Sequence, residues 1–286
     1  MCKKYGKKEM INQSIEVGKI NRLRVYKKSD FGLFLESQTQ EEVLLPNAYC
    51  TPNMKPDDEL EVFIYHDSED RLVATTQRPY ALLGEYFYAK VVDYRQYGAF
   101  VDWGLLKDLF VPLSQQKAYF NIDKYFILRV CQDEETLRLY GTHKIGKYIV
   151  RDLGGLAKNQ KLDIIIIAQT PLGYKVIADN KYEGMLFANE IFEPIAVGDR
   201  KVAYIKALRK DGKLDLSLQP IGKTQSLHDE FLELLKAHPN MNYKSTPQDI
   251  QTYFKMSKKS YKRQLSTLIE AQKIGVDEEG RVIIYE

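Results

Sequence analysis

Apolar positions along the chain fall in short β-branched and aromatic runs that glycine, proline or charged stretches interrupt. Residues 18–25, 31–35, 43–46, 60–65 and 71–75 are of strand length and composition, and they predict five strands. A second set follows at 84–94, 98–102, 108–112, 125–130 and 137–140, with Pro112 closing its third strand. A third set occupies 162–167, 174–178, 184–187, 202–207 and 213–218. Gly98 inside its strand pattern predicts a bulge there. After Gln219-Pro220-Ile221-Gly222 the spacing turns helical. Leu227, Phe231, Leu234 and Leu235 mark one helix, ending near His238-Pro239-Asn240. Thr246 caps a second, with Pro247 in its first turn and Ile250, Tyr253 and Phe254 along it. Ser257 caps a third, striped by Tyr261, Leu265, Leu268 and Ile269. Ile274 then leads through a turn at Asp277-Glu278-Glu279-Gly280 to a last strand over 281–285.

The first two sets are copies of one unit. Gly18, Val25, Phe34 and Pro46 recur as Gly84, Val91, Phe100 and Pro112, a gapless shift of 66 positions. Phe31-Gly32 likewise recurs as Tyr97-Gly98. In the third set, Leu172-Gly173 answers Tyr97-Gly98, and Met185-Leu186-Phe187 answers Phe110-Val111-Pro112. Five short strands in about 60 residues suit a small closed barrel, because closure removes the open edges of a lone sheet. The expected division is a basic tail over 1–12, barrels over 13–78, 79–144 and 145–220, and a winged helix over 221–286.

Composition narrows the class. Of 286 residues, 44% are hydrophobic and 28% charged, the balance of a soluble globular protein. A net charge of +3 permits a nucleic-acid partner without requiring one. Lys3, Lys4, Lys7 and Lys8 concentrate charge at the start. Cys2, Cys50 and Cys131 are odd in number and far apart, which fits neither a disulfide framework nor zinc spacing. No apolar run reaches membrane-span length, and the basic start lacks an apolar signal core. A cytoplasmic protein is expected, with no membrane association, no cofactor and no metal. His66, His143, His228 and His238 are scattered, with no zinc-protease motif and no nucleotide-binding glycine loop, so no catalytic residue is assigned.

The string Gly84…Lys90-Val91…Tyr97-Gly98-Ala99-Phe100-Val101-Asp102 resembles the S1 RNA-binding domain, a variety of OB-fold. The strand Leu109-Phe110-Val111-Pro112-Leu113-Ser114 resembles that domain's next signature, with proline where histidine usually stands. Pro46 makes the same departure in the first copy, and Phe187 holds the position in the third. Three such barrels followed by a winged helix are similar to the bacterial conserved virulence factor B family. That resemblance implies post-transcriptional regulation of gene expression, virulence factors included.

The residues give a physical route to RNA. Single strands are held by stacking unpaired bases on aromatic faces while cations track the phosphates. Phe31 and Phe34 form such a pair in the first copy, Tyr97 and Phe100 in the second. Arg24, Lys27 and Lys28 flank the first pair, and Lys90 and Arg95 the second. The third copy has Leu172 and Lys175 at those positions, with Phe187 as a partial substitute. Lys255, Lys258, Lys259, Lys262 and Arg263 cluster at the start of the third helix, the end that meets nucleic acid in helix-turn-helix proteins. The competing reading buries the aromatics in barrel interiors and solvates the charge run. The expected partner is therefore single-stranded RNA, bound by a monomer. DNA through the winged helix, or a protein scaffold at the ribosome or RNA-processing machinery, stand as alternatives.

Overall fold

A computed structural model describes residues 11–191, 193–220, 223–277 and 281–285, with no account of side chains over 223–229. The four N-terminal lysines, the Leu227 side chain and Glu278-Glu279-Gly280 of the expected wing turn therefore lie outside the described residues. The fold is a mainly β chain of three S1-like barrels followed by a winged helix. It divides between Lys147 and Tyr148 into two compact units.

In the first unit, β1 (Ile20–Ser29), β2 (Gly32–Glu36), β3 (Glu42–Pro46), β4 (Glu59–His66) and β5 (Leu72–Thr75) close in the order β1-β2-β3-β5-β4. The third and fifth strands pair in parallel and the other neighbours antiparallel. Alternate residues point inward: Leu23 and Val25, Leu33 and Leu35, Val43 and Leu45 are all buried. The second barrel repeats the plan with β6 (Tyr86–Arg95), β7 (Gly98–Asp102), β8 (Leu109–Pro112), β9 (Tyr125–Gln132) and β10 (Leu139–Thr142). Its hydrogen-bonded order is β10-β9-β6-β7-β8, so β8 and β10 carry no ladder between them. Packing closes that seam: Val111 and Leu109 crowd Gly141 so closely that a Cβ there would stand 2.9 Å from Val111 Cγ2.

The bulge expected at Gly98 lies one strand earlier. Register slips between Val91 and Asp93 in β6, and between Val25 and Lys27 in β1. Gly98 serves a different need: at φ +154° a Cβ would stand 2.3 Å from the Val111 carbonyl oxygen. Close approach of two backbones, rather than an extra residue, requires the glycine.

The two barrels share a core. Phe63 and Tyr65 of β4 set their rings 5.7 and 6.5 Å from Trp103, which is buried in the second barrel's cluster. The Trp103 indole N–H donates to the Lys107 carbonyl at 2.5 Å. Lys107 Nζ in turn donates to the carbonyls of His66 and Asp67 at 2.9 and 2.8 Å.

In the second unit, β11 (Lys161–Thr170), β12 (Gly173–Ala178), β13 (Tyr182–Phe187), β14 (Arg200–Leu208) and β15 (Leu214–Ser217) close as β11-β12-β13-β15-β14. The bulge recurs between Ile166 and Ala168. Helices α1 (Lys223–Ala237), α2 (Pro247–Phe254) and α3 (Lys258–Glu270) follow, then the hairpin β16 (Ile274–Val276) and β17 (Val282–Ile284). The Thr246 and Ser257 hydroxyls accept from the backbone N–H of Asp249 and Ser260, each at 3.1 Å. Phe231, Ile250, Phe254, Tyr261, Leu265 and Leu268 fill the helical core.

Candidate nucleic-acid interface

Barrel two carries the densest aromatic surface. Tyr97 sits in the β6–β7 turn and is 72% exposed. Phe100, three residues on, is half-buried on the outer face of β7, because its neighbours Ala99 and Val101 take the inward positions. The ladder sets Phe100 opposite Phe110 on β8, with ring centroids 5.2 Å apart. The Arg95 guanidinium stands 5.4 Å from the Phe100 centroid while its Nε donates to Asp93 at 2.7 Å. Two further ring pairs lie on this barrel: Tyr88 with Tyr125 at 5.0 Å and Tyr94 with Tyr119 at 4.6 Å. The sequence places Phe110 in a strand but assigns it no contact with bases, since only the antiparallel register joining Gly98 to Pro112 sets it opposite Phe100.

Barrel one repeats the layout with fewer rings. Phe31 is 76% exposed in the turn, and Phe34 packs edge-on to Tyr26 at 6.3 Å. Phe34 faces Leu44, where barrel two has Phe110. On the other side it faces Lys27, and Lys28 lies opposite Leu33. Both lysines are exposed, and neither has a carboxylate partner among the described residues. Arg24 is ion-paired to Glu36, with Asp57 at 3.6 Å. Lys90 of barrel two pairs with Asp123 at 2.7 Å, a contact that holds its ammonium pKa above the ordinary value. Beside the aromatic pairs, then, barrel one keeps two unpaired cations next to Phe34, whereas Lys90 and Arg95 of barrel two are both held by carboxylates.

Barrel three keeps the frame without the rings. Leu172 is exposed where Tyr97 stands, Lys175 faces Met185, and Phe187 is half-buried opposite Gly173. Its neighbour is α3. The Arg263 guanidinium donates to the Ile191 carbonyl, and Thr267 Oγ1 donates to the Asn189 carbonyl at 3.3 Å. Arg263 is thus engaged in holding the winged helix to the barrel. A groove of about 560 Å³ opens there, lined by Tyr174 and Glu193 on one side and Ser257, Lys259 and Ser260 on the other. Lys255, Lys259 and Lys262 are exposed and Lys258 half-buried, none with a carboxylate partner among the described residues. They crowd the positive end of the α3 dipole.

Among the described residues, no three His, Cys, Asp or Glu side chains gather as metal ligands. No described helix is long and apolar enough to cross a membrane.

Comparison with known proteins bears on identity. Residues 17–77 match the family model of the S1 domain, and residues 229–281 that of the CvfB-like winged helix domain. Both are nucleic-acid-binding domain types, and neither model is an enzyme's. A Bacillus subtilis protein, YitL, is 29% identical over 94% of each chain. Conserved virulence factor B of Staphylococcus aureus is 25% identical over 94% of each chain. A solved multidomain protein with nucleic acid binding domains from Streptococcus pneumoniae has 21% identity, covers 94% of this chain and 98% of its own, and has a TM-score of 0.41. With S1-type barrels leading into a CvfB-like winged helix, this chain is a full-span relative of YitL and conserved virulence factor B.

Proposed function

We propose that the chain is a noncatalytic protein that binds single-stranded RNA and acts in bacterial post-transcriptional regulation, virulence genes among its targets. The carrying observation is the ring surface of barrel two: Phe100 and Phe110 at 5.2 Å, Arg95 over Phe100, and exposed Tyr97 in the adjoining turn. Stacked bases gain about 1–3 kcal/mol each on such rings, and duplex DNA keeps its bases inside. Unpaired Lys27 and Lys28 on barrel one supply cations for the phosphates. Barrels on one chain raise each other's effective concentration on one strand. The kinship with conserved virulence factor B supports the regulatory part.

Titration of the full chain, followed by fluorescence anisotropy, compares a single-stranded RNA with a matched DNA duplex at low and physiological salt. Tighter, salt-weakened binding to RNA is the expected result. A preference for the duplex transfers the function to the basic start of α3, which faces an open groove. Binding to neither overturns the reading in favour of a protein scaffold.

A further inference from the structure

The first unit holds a cleft of about 480 Å³ between its two barrels, within the roughly 300–1,000 Å³ usual for ligand pockets. Barrel one contributes His66, Asp67 and Asp70; barrel two contributes Asp108, Phe110 and Arg138. The site is pre-formed, because the shared core around Trp103 and the Lys107 hydrogen bonds fix one barrel on the other.

Its charges are unevenly committed. Lys107 spends its ammonium on two carbonyls, and Arg138 is ion-paired to Asp70. Asp108 has no hydrogen bond or ion pair among the described residues, and His66 Nδ1 is buried without a partner. Burial, with Asp102 and Asp93 nearby, raises the Asp108 pKa, and burial lowers that of His66. A half-buried carboxylate left unpaired is costly until a ligand brings donors to it. Perturbed groups converging in a cleft are where a ligand is expected.

The ligand's chemistry follows from the lining. Four carboxylates (Asp67, Asp70, Asp108 and Asp133) face two cations that are already engaged, which disfavours a phosphate. Phe110 and Tyr140 offer rings to a flat aromatic group. Phe110 also belongs to the Phe100 surface, so a strand crossing that surface arrives at the cleft. We propose that the cleft takes one unstacked base of the bound RNA, a base presenting adjacent N–H donors as guanine does with N1–H and its 2-amino group. Asp108 is the acceptor. This rests on the single-stranded RNA reading above.

The test uses the full chain and oligonucleotides of about ten residues, a length within the reach of such barrels. Oligouridine is compared with the same strand carrying one central guanine, or inosine, which lacks the 2-amino group. Guanine is expected to tighten binding roughly tenfold over oligouridine, as a good bidentate contact does, with inosine between. Asp108→Asn should bring the guanine-to-uridine ratio to about one, since the amide offers one acceptor where guanine needs two. Trp103 is the only tryptophan and lines the cleft, so in the unmodified chain its emission should respond to the guanine strand and not to oligouridine. That second readout stands even if the variant folds poorly. Equal affinities, or a silent Trp103, overturn the inference and leave the carboxylates to a cationic partner. Oligouridine binding without a guanine advantage sinks the cleft alone; no RNA binding at all sinks the parent reading with it.

Discussion

Barrels two and three share the frame of their first three strands and differ in surface. Each has a long first strand with one bulge, a turn residue exposed ahead of a glycine, and a second strand paired to a third in matching register. Gly98 and Gly173 sit at φ +154° and +144°, each where a Cβ would strike a carbonyl of the third strand, at 2.3 and 2.0 Å. Inward positions stay apolar in both. Outward, barrel two has Tyr97, Phe100 and Phe110, and barrel three has Leu172, Lys175 and Met185 at the same places. The barrel needs its alternation and its glycine. It does not need the rings, so their presence on barrels one and two asks for a cause outside folding.

The frame itself is the most sensitive point. Gly98→Ala and Gly173→Ala should each cost about 3 kcal/mol of stability in their own unit, through backbone clash and a φ that an L-residue resists. Trp103 emission in urea reports the first unit and hydrogen exchange the second; a loss in only one of them would mean that the frames are not equivalent. Next in size is the surface. Tyr97→Ala with Phe100→Ala should weaken RNA binding by about 2–4 kcal/mol with the melting temperature nearly unchanged, and Leu172→Ala should do nothing. Equal losses from both would break the contrast. The comparison can also be run in reverse: Lys175→Phe with Met185→Phe rebuilds the rings on barrel three and should add about 1 kcal/mol of affinity at low salt.

The smallest effect concerns pH. His143 stands edge-on beside the stacked rings of Phe120 and Phe126, 5.5 Å from each, and burial lowers its pKa. Below its ordinary value of 6.5 the unfolded chain takes up a proton that the folded chain resists, so stability falls as pH falls through that window. His66 acts in the same direction. Urea midpoints read on Trp103 at about pH 7.5 and about pH 5.5 should differ, and His143→Gln should narrow the gap. An unchanged gap would remove His143 from the account.

Much of the frame was legible because strand runs, caps and duplication are local patterns. Thr246 and Ser257 cap the helices that their positions announced. Gly98 misled about the bulge because a glycine marks close approach as readily as an extra residue, and only the third strand's carbonyl decides which. The seam between β8 and β10 depends on how Val111 meets Gly141, residues far apart in the chain. For the interface, turn aromatics were visible one by one. Phe110 and the pairing of Arg263 with Ile191 became visible only once strands and helices had neighbours.

The junction at Trp103 makes each copy depend on the other. Phe63 and Tyr65 bury against a tryptophan of the other copy, and Lys107 binds carbonyls across the boundary. Excising one copy strips apolar surface and hydrogen-bond partners from its twin. The sequence displays two modules, whereas the structure holds them as one compact unit.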